Sequence, residues 1–201
     1  MLFLTRNSSG GIVAVSRMDE SIAEMTCLYR GDVTEFDGMC ERAKREKLAV
    51  RILLQELCGV TALCYDGNGK PYLSDNSQHI SISHTKNFVA VFLHPSYPVG
   101  IDIEYRSSRA SRLKERFLAA DEMCLKSADC ESYSELCWCA KEVAYKMLSD
   151  KSVDMFRELK VKPFDVSCEG CFCVEYTRRK QYFEMQYIQN ELFTLVWCAQ
   201  E

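Results

Sequence analysis

The chain has 201 residues, 47% of them hydrophobic and 27% charged, and a formal net charge of −4 at pH 7. That balance is globular and gives no global positive field, which excludes nucleic acid as an expected partner. No apolar run is long enough to span a bilayer, and the opening MLFLTRNSSGGIVAVSR lacks the basic and apolar regions of a secretory signal, so a cytoplasmic location and no membrane partner are expected.

Along the chain, residues 11–16 (GIVAVS) read as a strand. Residues 39–58 read as a long amphipathic helix, with Leu48, Ile52, Leu53 and Leu57 on its apolar side and Gly59 as a stop. Asp66-Gly67-Asn68-Gly69 is a dense turn signal. Three short β-like runs follow, at 79–84, 88–93 and 99–104. Residues 109–127 and 132–149 read as helices. The chain ends in four β-like runs, at 164–168, 171–177, 181–188 and 193–198. Glu169-Gly170 reads as the turn between the first two of these.

Each half thus offers a helix and several antiparallel strands. The expected fold is α+β, with two similar, pseudo-two-fold-related lobes, each a helix packed on a small antiparallel sheet, at residues 1–97 and 98–201. Twelve cysteines are scattered through hydrophobic segments and read as free buried thiols. Cys168 and Cys171 have C-x-x-C spacing but no second pair to complete a zinc ribbon.

The residues that suggest chemistry begin with Val99-Gly100-Ile101-Asp102-Ile103-Glu104. Side chains two apart on a strand share a face, so Asp102 and Glu104 have Cα atoms roughly 7 Å apart on one side of it. Two carboxylates so placed repel each other unless they are solvated or share a cation, and a hard divalent ion such as Mg2+ suits an all-carboxylate set. Trp138, Glu142 and Lys146 recur every four residues and lie near one helical stripe, as an ordinary i,i+4 ion pair would. His84 sits in the strand-like Ser81-Ile82-Ser83-His84, and Gly69-Lys70-Pro71 is a turn with one Lys. The chain has no G-x-S-x-G, no P-loop spacing and no G-x-G-x-x-G after a strand.

Taken in order, G-K-P (Gly69 to Pro71), S-I-S-H (Ser81 to His84), V-G-I-D-I-E (Val99 to Glu104) and W-x-x-K-E (Trp138 to Glu142) with a trailing Lys146 resemble the 4′-phosphopantetheinyl transferases. The length resembles their larger, surfactin-synthetase-activating type, a monomeric pseudo-dimer. The resemblance implies an enzyme that moves the phosphopantetheine arm of coenzyme A to a serine of an apo acyl carrier protein or peptidyl carrier domain, with release of 3′,5′-ADP, as in fatty acid biosynthesis. It implies Mg2+ held by Asp102, Glu104 and Glu142, and Lys146 at the pyrophosphate. Arg51 and His84 would meet the 3′-phosphate, with Ser83 beside His84, Lys70 and Pro71 along the adenine, and Lys141 also at the coenzyme. Arg42, Lys44 and Arg45 are further candidates for the 3′-phosphate. Glu142 or a metal-bound water would take the serine proton, and the segment from Arg106 to Arg116 would dock the carrier. Val143, Cys139 and Thr85 replace the residues common at their positions, without removing a ligand. Two other functions fit the same motifs: a non-catalytic coenzyme A or carrier-binding module, and another Mg2+-dependent phosphodiester-cleaving enzyme.

Overall fold

The computed structural model describes residues 2–59, 62–123 and 130–200. The chain divides into two compact units, Met1–Tyr97 and Pro98–Glu201. Both are α+β with antiparallel sheets.

The first unit opens with β1 (Leu2–Ser8) and β2 (Gly11–Arg17), then α1 (Ile22–Leu28) and a 3-10 turn at Val33–Phe36. Ser21 caps α1 in a reciprocal capping box with Glu24. The long α2 (Glu41–Cys58) follows, then β3 (Leu63–Tyr65), β4 (Pro71–Leu73), β5 (His79–Thr85) and β6 (Phe88–His94). The main sheet runs β1-β2-β6-β5, and β3 and β4 form a separate hairpin. The helix ends where the sequence requires it to: Gly59 adopts φ +72°, a left-handed conformation that costs glycine nothing, and its N–H satisfies the Gln55 carbonyl. Leu48, Leu53 and Leu54 of α2 pack with Ala14, Val89, Val91 and Ile80 of the sheet into one core.

The second unit begins with β7 (Val99–Tyr105), followed by α3 (Arg109–Leu113), a 3-10 turn at Lys114–Arg116, and α4 (Ala120–Met123). Next come α5 (Cys130–Leu148), α6 (Met155–Glu158), β8 (Leu159–Val161), β9 (Glu169–Tyr176), β10 (Gln181–Gln189) and β11 (Phe193–Ala199). The sheet order is β7-β11-β10-β9-β8. The helix α5 lies across it and buries Leu136, Ala140, Val143 and Ala144 against Phe183, Met185 and Val196.

Two sequence expectations fail here. The expected strand at 164–168 is absent, and Glu169 and Gly170 are paired strand residues opposite Ile188 and Tyr187, not a turn. The strand that pairs with the far end of β9 is β8. Phe164 serves the core instead, stacked on Phe172 at 4.0 Å between centroids. The expected helix over 109–127 is broken, because Phe117 and Leu118 turn inward between short helices. Residues 124–127 of that expectation lie outside the described residues. The ten described cysteines are free thiols. No helix among the described residues is long and apolar enough to cross a membrane.

Candidate active site

Strand β7 has two different faces. Val99, Ile101 and Ile103 are buried on one. Gly100, Asp102 and Glu104 alternate with them and face α5. A side chain at Gly100 would place Cβ 2.7 Å from Met147 Cγ and 2.9 Å from the Val143 carbonyl oxygen, so the missing side chain is what lets the helix approach. The helix then lays its stripe along the carboxylates. Trp138 Nε1 donates to Glu104 Oε1 at 3.2 Å. Lys146 Nζ donates to Asp102 Oδ1 at 2.8 Å and to the Ile101 carbonyl at 2.9 Å. Glu142 lies one turn from each of these residues, between them.

The electrostatics follow from that packing. Burial pushes the Glu142 carboxyl up, and the Asp102 charge adds to it; Lys146 opposes the shift, and Glu104 reinforces it. Cys139, fully buried, is held well above its ordinary value by burial and then by the Asp102 and Glu104 charges. The donor set is three carboxylates without nitrogen or sulfur, which fits a hard cation such as Mg2+. Its crowded negative charge is what a cation would relieve, and the Lys146 ammonium supplies one such contact at Asp102. Among the described residues, no three acidic, His or Cys side chains already converge as a metal cluster.

Beside this face lies a cavity of about 330 Å3 lined by Glu104, Trp138, Leu113, Phe117, Arg109 and Arg116. Glu135 also lines it. Its carboxylate accepts from Arg106 Nη1 at 2.7 Å, the Ser107 N–H at 2.7 Å and Thr194 Oγ1 at 2.9 Å, which ties the exit of β7 to α5 and β11. Nothing in its sequence context distinguishes Glu135 from a surface helix residue.

Lys141 faces the opposite way. It is fully buried, and its Nζ donates to the Phe117 carbonyl at 2.6 Å and to Glu122 Oε2 at 3.0 Å. Burial pulls its pKa down and Glu122 opposes the shift. The structure therefore directs the Lys141 side chain into the core and away from the Asp102–Glu142 face.

In the first unit, α2 and β5 bound a cavity of about 140 Å3. Arg51, His84, Glu46, Lys47, Tyr65 and Val50 are among its lining residues. Arg51 is buried and paired with Glu35, Nη2 to Oε2 at 2.8 Å and Nε to Oε1 at 3.3 Å, and it also donates to the Leu63 carbonyl. His84 Nδ1 stands 3.5 Å from Glu46 Oε1, and Arg42 Nε is 2.9 Å from the same oxygen. Arg45 is committed to the Glu20 carbonyl. Ser83 points to the other face of β5 and does not line this cavity; Lys70, in the β3–β4 turn, and Pro71, the first residue of β4, do not line it either. Tyr65, opposite Pro71 in that hairpin, does. Glu46 and Tyr65 carry no motif, and only the fold reveals them.

Strand β7, helix α5 and the three carboxylates on their shared face fall inside one recognisable segment. Residues 98–190 match the model of the 4′-phosphopantetheinyl transferase superfamily. The match supports that superfamily and phosphopantetheinyl transfer as the general chemistry. Asp102, Glu104, Glu142 and Lys146 lie inside the matched segment; Arg51, Lys70, Pro71, Ser83 and His84 lie before it. No curated protein matches the chain.

Proposed function

We propose that the chain transfers the 4′-phosphopantetheine arm of coenzyme A to a serine of an apo acyl carrier protein or peptidyl carrier domain. The observation that carries this reading is the alignment of Asp102, Glu104, Glu142 and Lys146 on the β7–α5 contact, within the segment that matches the superfamily. In the reaction the serine Oγ–P bond forms and the P–O bond of the pyrophosphate breaks, which releases adenosine 3′,5′-bisphosphate. Asp102, Glu104 and Glu142 would hold a Mg2+ ion, which would supply charge neutralisation at the pyrophosphate.

Lys146 places its ammonium where negative charge builds on the leaving group. Glu142, on the same face as Asp102 and Lys146, is the carboxylate suited to accept the serine proton. Lys141 acts as a positioning residue: its pair with Glu122 fixes α5, and thereby its neighbour Glu142. The first unit's cavity takes the adenosine end, with Arg51 and His84 in its wall and the Tyr65 ring available to the base. The nucleophile comes from the carrier, and this reading needs none from the chain itself. The protein acts as a monomer in the cytoplasm.

The test is mass spectrometry of apo carriers from fatty-acid, polyketide and peptide-synthetase systems, each incubated with the protein, coenzyme A and Mg2+. One carrier heavier by a single phosphopantetheine is the expected result. No gain on any of them overturns the proposal.

A further inference from the structure

Glu135 is a buried carboxylate on α5, one turn before Trp138, to which the transfer reaction assigns no role. It is 2% exposed and lines the cavity of about 330 Å3 together with Glu104. Burying a charge is costly unless donors surround it, and here they do. Oε2 accepts from Arg106 Nη1 and Thr194 Oγ1, and Oε1 accepts from the Ser107 N–H. Around these contacts a second layer closes. Arg106 Nη2 donates to Ser132 Oγ at 2.9 Å, and Gln189 Nε2 donates to Thr194 Oγ1 at 2.7 Å. Ser132, Gln189 and Thr194 are buried as Glu135 is. So much buried polar structure around one guanidinium indicates that the place of that guanidinium matters.

Arg106 belongs to the face of the three carboxylates. It follows Glu104 by two positions at the exit of β7, and its side chain reaches α5, as those of Asp102 and Glu104 do. Thr194, the cross-strand partner of Glu104, is part of the same network. Arg109 and Arg116 also line the cavity, but from α3 and the turn after it; Arg106 is the cation that the strand itself carries toward Glu104. A guanidinium on a carboxylate is a strong, directional ion pair, and one formed at Glu104 would compete with a metal ion for the same oxygens. Lys146 already meets Asp102, so a second cation at Glu104 would neutralise two of the three carboxylates. Among the described residues the ionic partner of Arg106 is Glu135. We infer that Glu135 is a positioning residue that holds the Arg106 guanidinium off Glu104, so that Glu104 can serve a divalent cation. It acts through Arg106 and touches no reactant. The inference rests on the proposed Mg2+ at Asp102, Glu104 and Glu142.

Calorimetric titration of the full chain with Mg2+ alone, without coenzyme or carrier, tests it. Glu135→Gln keeps the shape of the side chain and removes the charge that holds Arg106. It is expected to weaken Mg2+ binding by about tenfold, the scale of one hydrogen bond to a charged group. Adding Arg106→Gln to that variant removes the competing guanidinium and is expected to restore the wild-type affinity, a coupling that a merely structural role for Glu135 would not produce. Glu135→Asp, which draws the carboxylate back from Arg106, is the milder second variant should the first not fold; its smaller weakening is also reversed by Arg106→Gln. Unchanged Mg2+ affinity in a folded Glu135 variant overturns the inference. So does a loss that Arg106→Gln leaves in place, or a wild-type chain that binds no Mg2+ at millimolar concentration. Carrier modification is measured alongside. Weakened and restored Mg2+ binding in a protein that modifies no carrier supports the role of Glu135 and removes the transferase reading, whereas carrier modification with Mg2+ affinity unchanged in the variants does the reverse.

Discussion

Glu142 shows how a residue proposed for the chemistry weakens the fold that carries it. Its carboxyl pKa is raised, so the folded state holds its proton at pH values where the unfolded chain has released it. Stability therefore falls as pH rises from the ordinary carboxylate value through the raised one, and at neutral pH the ionised side chain is a net cost. Glu142→Gln is expected to raise the melting temperature at pH 7 while reducing carrier modification by a hundredfold or so, within the range for loss of a positioned base. Thermal melts and intact-mass kinetics on the same preparation check both halves; a lower melting temperature would falsify the electrostatic account.

Glu35 runs the other way. Burial tends to raise its pKa, but hydrogen bonds from Arg51 and Tyr29 and the Arg51 charge outweigh that and hold it below the ordinary value. Its contribution is complete above the unfolded pKa and is lost as pH falls through the folded one. The pair should therefore show as an acid-side loss of stability that Glu35→Gln flattens, measured by urea titrations from pH 6 downward.

At the scale of elements, the β7–α5 contact hangs on Gly100. Adding one methyl there brings it within 2.7 Å of Met147 and 2.9 Å of backbone at Val143, which cannot yield as a flexible side-chain tip can. Gly100→Ala is expected to cost about 1–3 kcal/mol, the range for overpacking, and to pull Lys146 off Asp102, with a larger fall in transfer than the stability loss alone would produce. Urea denaturation and transfer rates at saturating coenzyme separate the two.

Strand β7 and helix α5 were legible in the sequence because periodicity and burial agree there: alternating Val99, Ile101 and Ile103, then a helical stripe ending in Lys146. The motif order named the carboxylates without showing that Gly100 brings the helix to them. The reading failed at 164–168, where Phe164 is apolar because it stacks in the core and not because it belongs to a ladder. It failed again at 109–127, where tertiary burial of Phe117 overrides a helical composition. Glu135, Glu46 and Tyr65 were invisible for a different reason. Their significance comes from partners 29, 38 and 6 positions away in the chain, namely Arg106, His84 and Pro71, and no local spacing encodes that.

For the whole molecule, the α+β class followed from counting helices and strands; the cysteines, expected to be free buried thiols, are free among the described residues, but only Cys137, Cys139 and Cys198 are buried. The cysteines differ in their surroundings, however. Cys27, Cys40, Cys168 and Cys171 are exposed, while Cys137, Cys139 and Cys198 are buried. Burial pushes Cys137 and Cys198 up to about 12, so at neutral pH neither carries appreciable thiolate. Only the thiolate attacks an alkylating reagent. A pulse of iodoacetamide on the native protein is expected to modify the four exposed sites and spare the three buried ones, with peptide mapping as the readout. Rapid modification of Cys137 or Cys198 in the folded protein would sink that assignment.

Cys139 lies one residue after Trp138 and against the carboxylates that face α5. Its alkylation can proceed no faster than the helix lifts from the strand, so its labelling rate is a clock for that opening. Mg2+ and coenzyme A, if they bind at this face, should slow the clock while leaving Cys198 nearly unaffected. The site thereby carries an internal timer for its own excursions, one that needs no engineered probe.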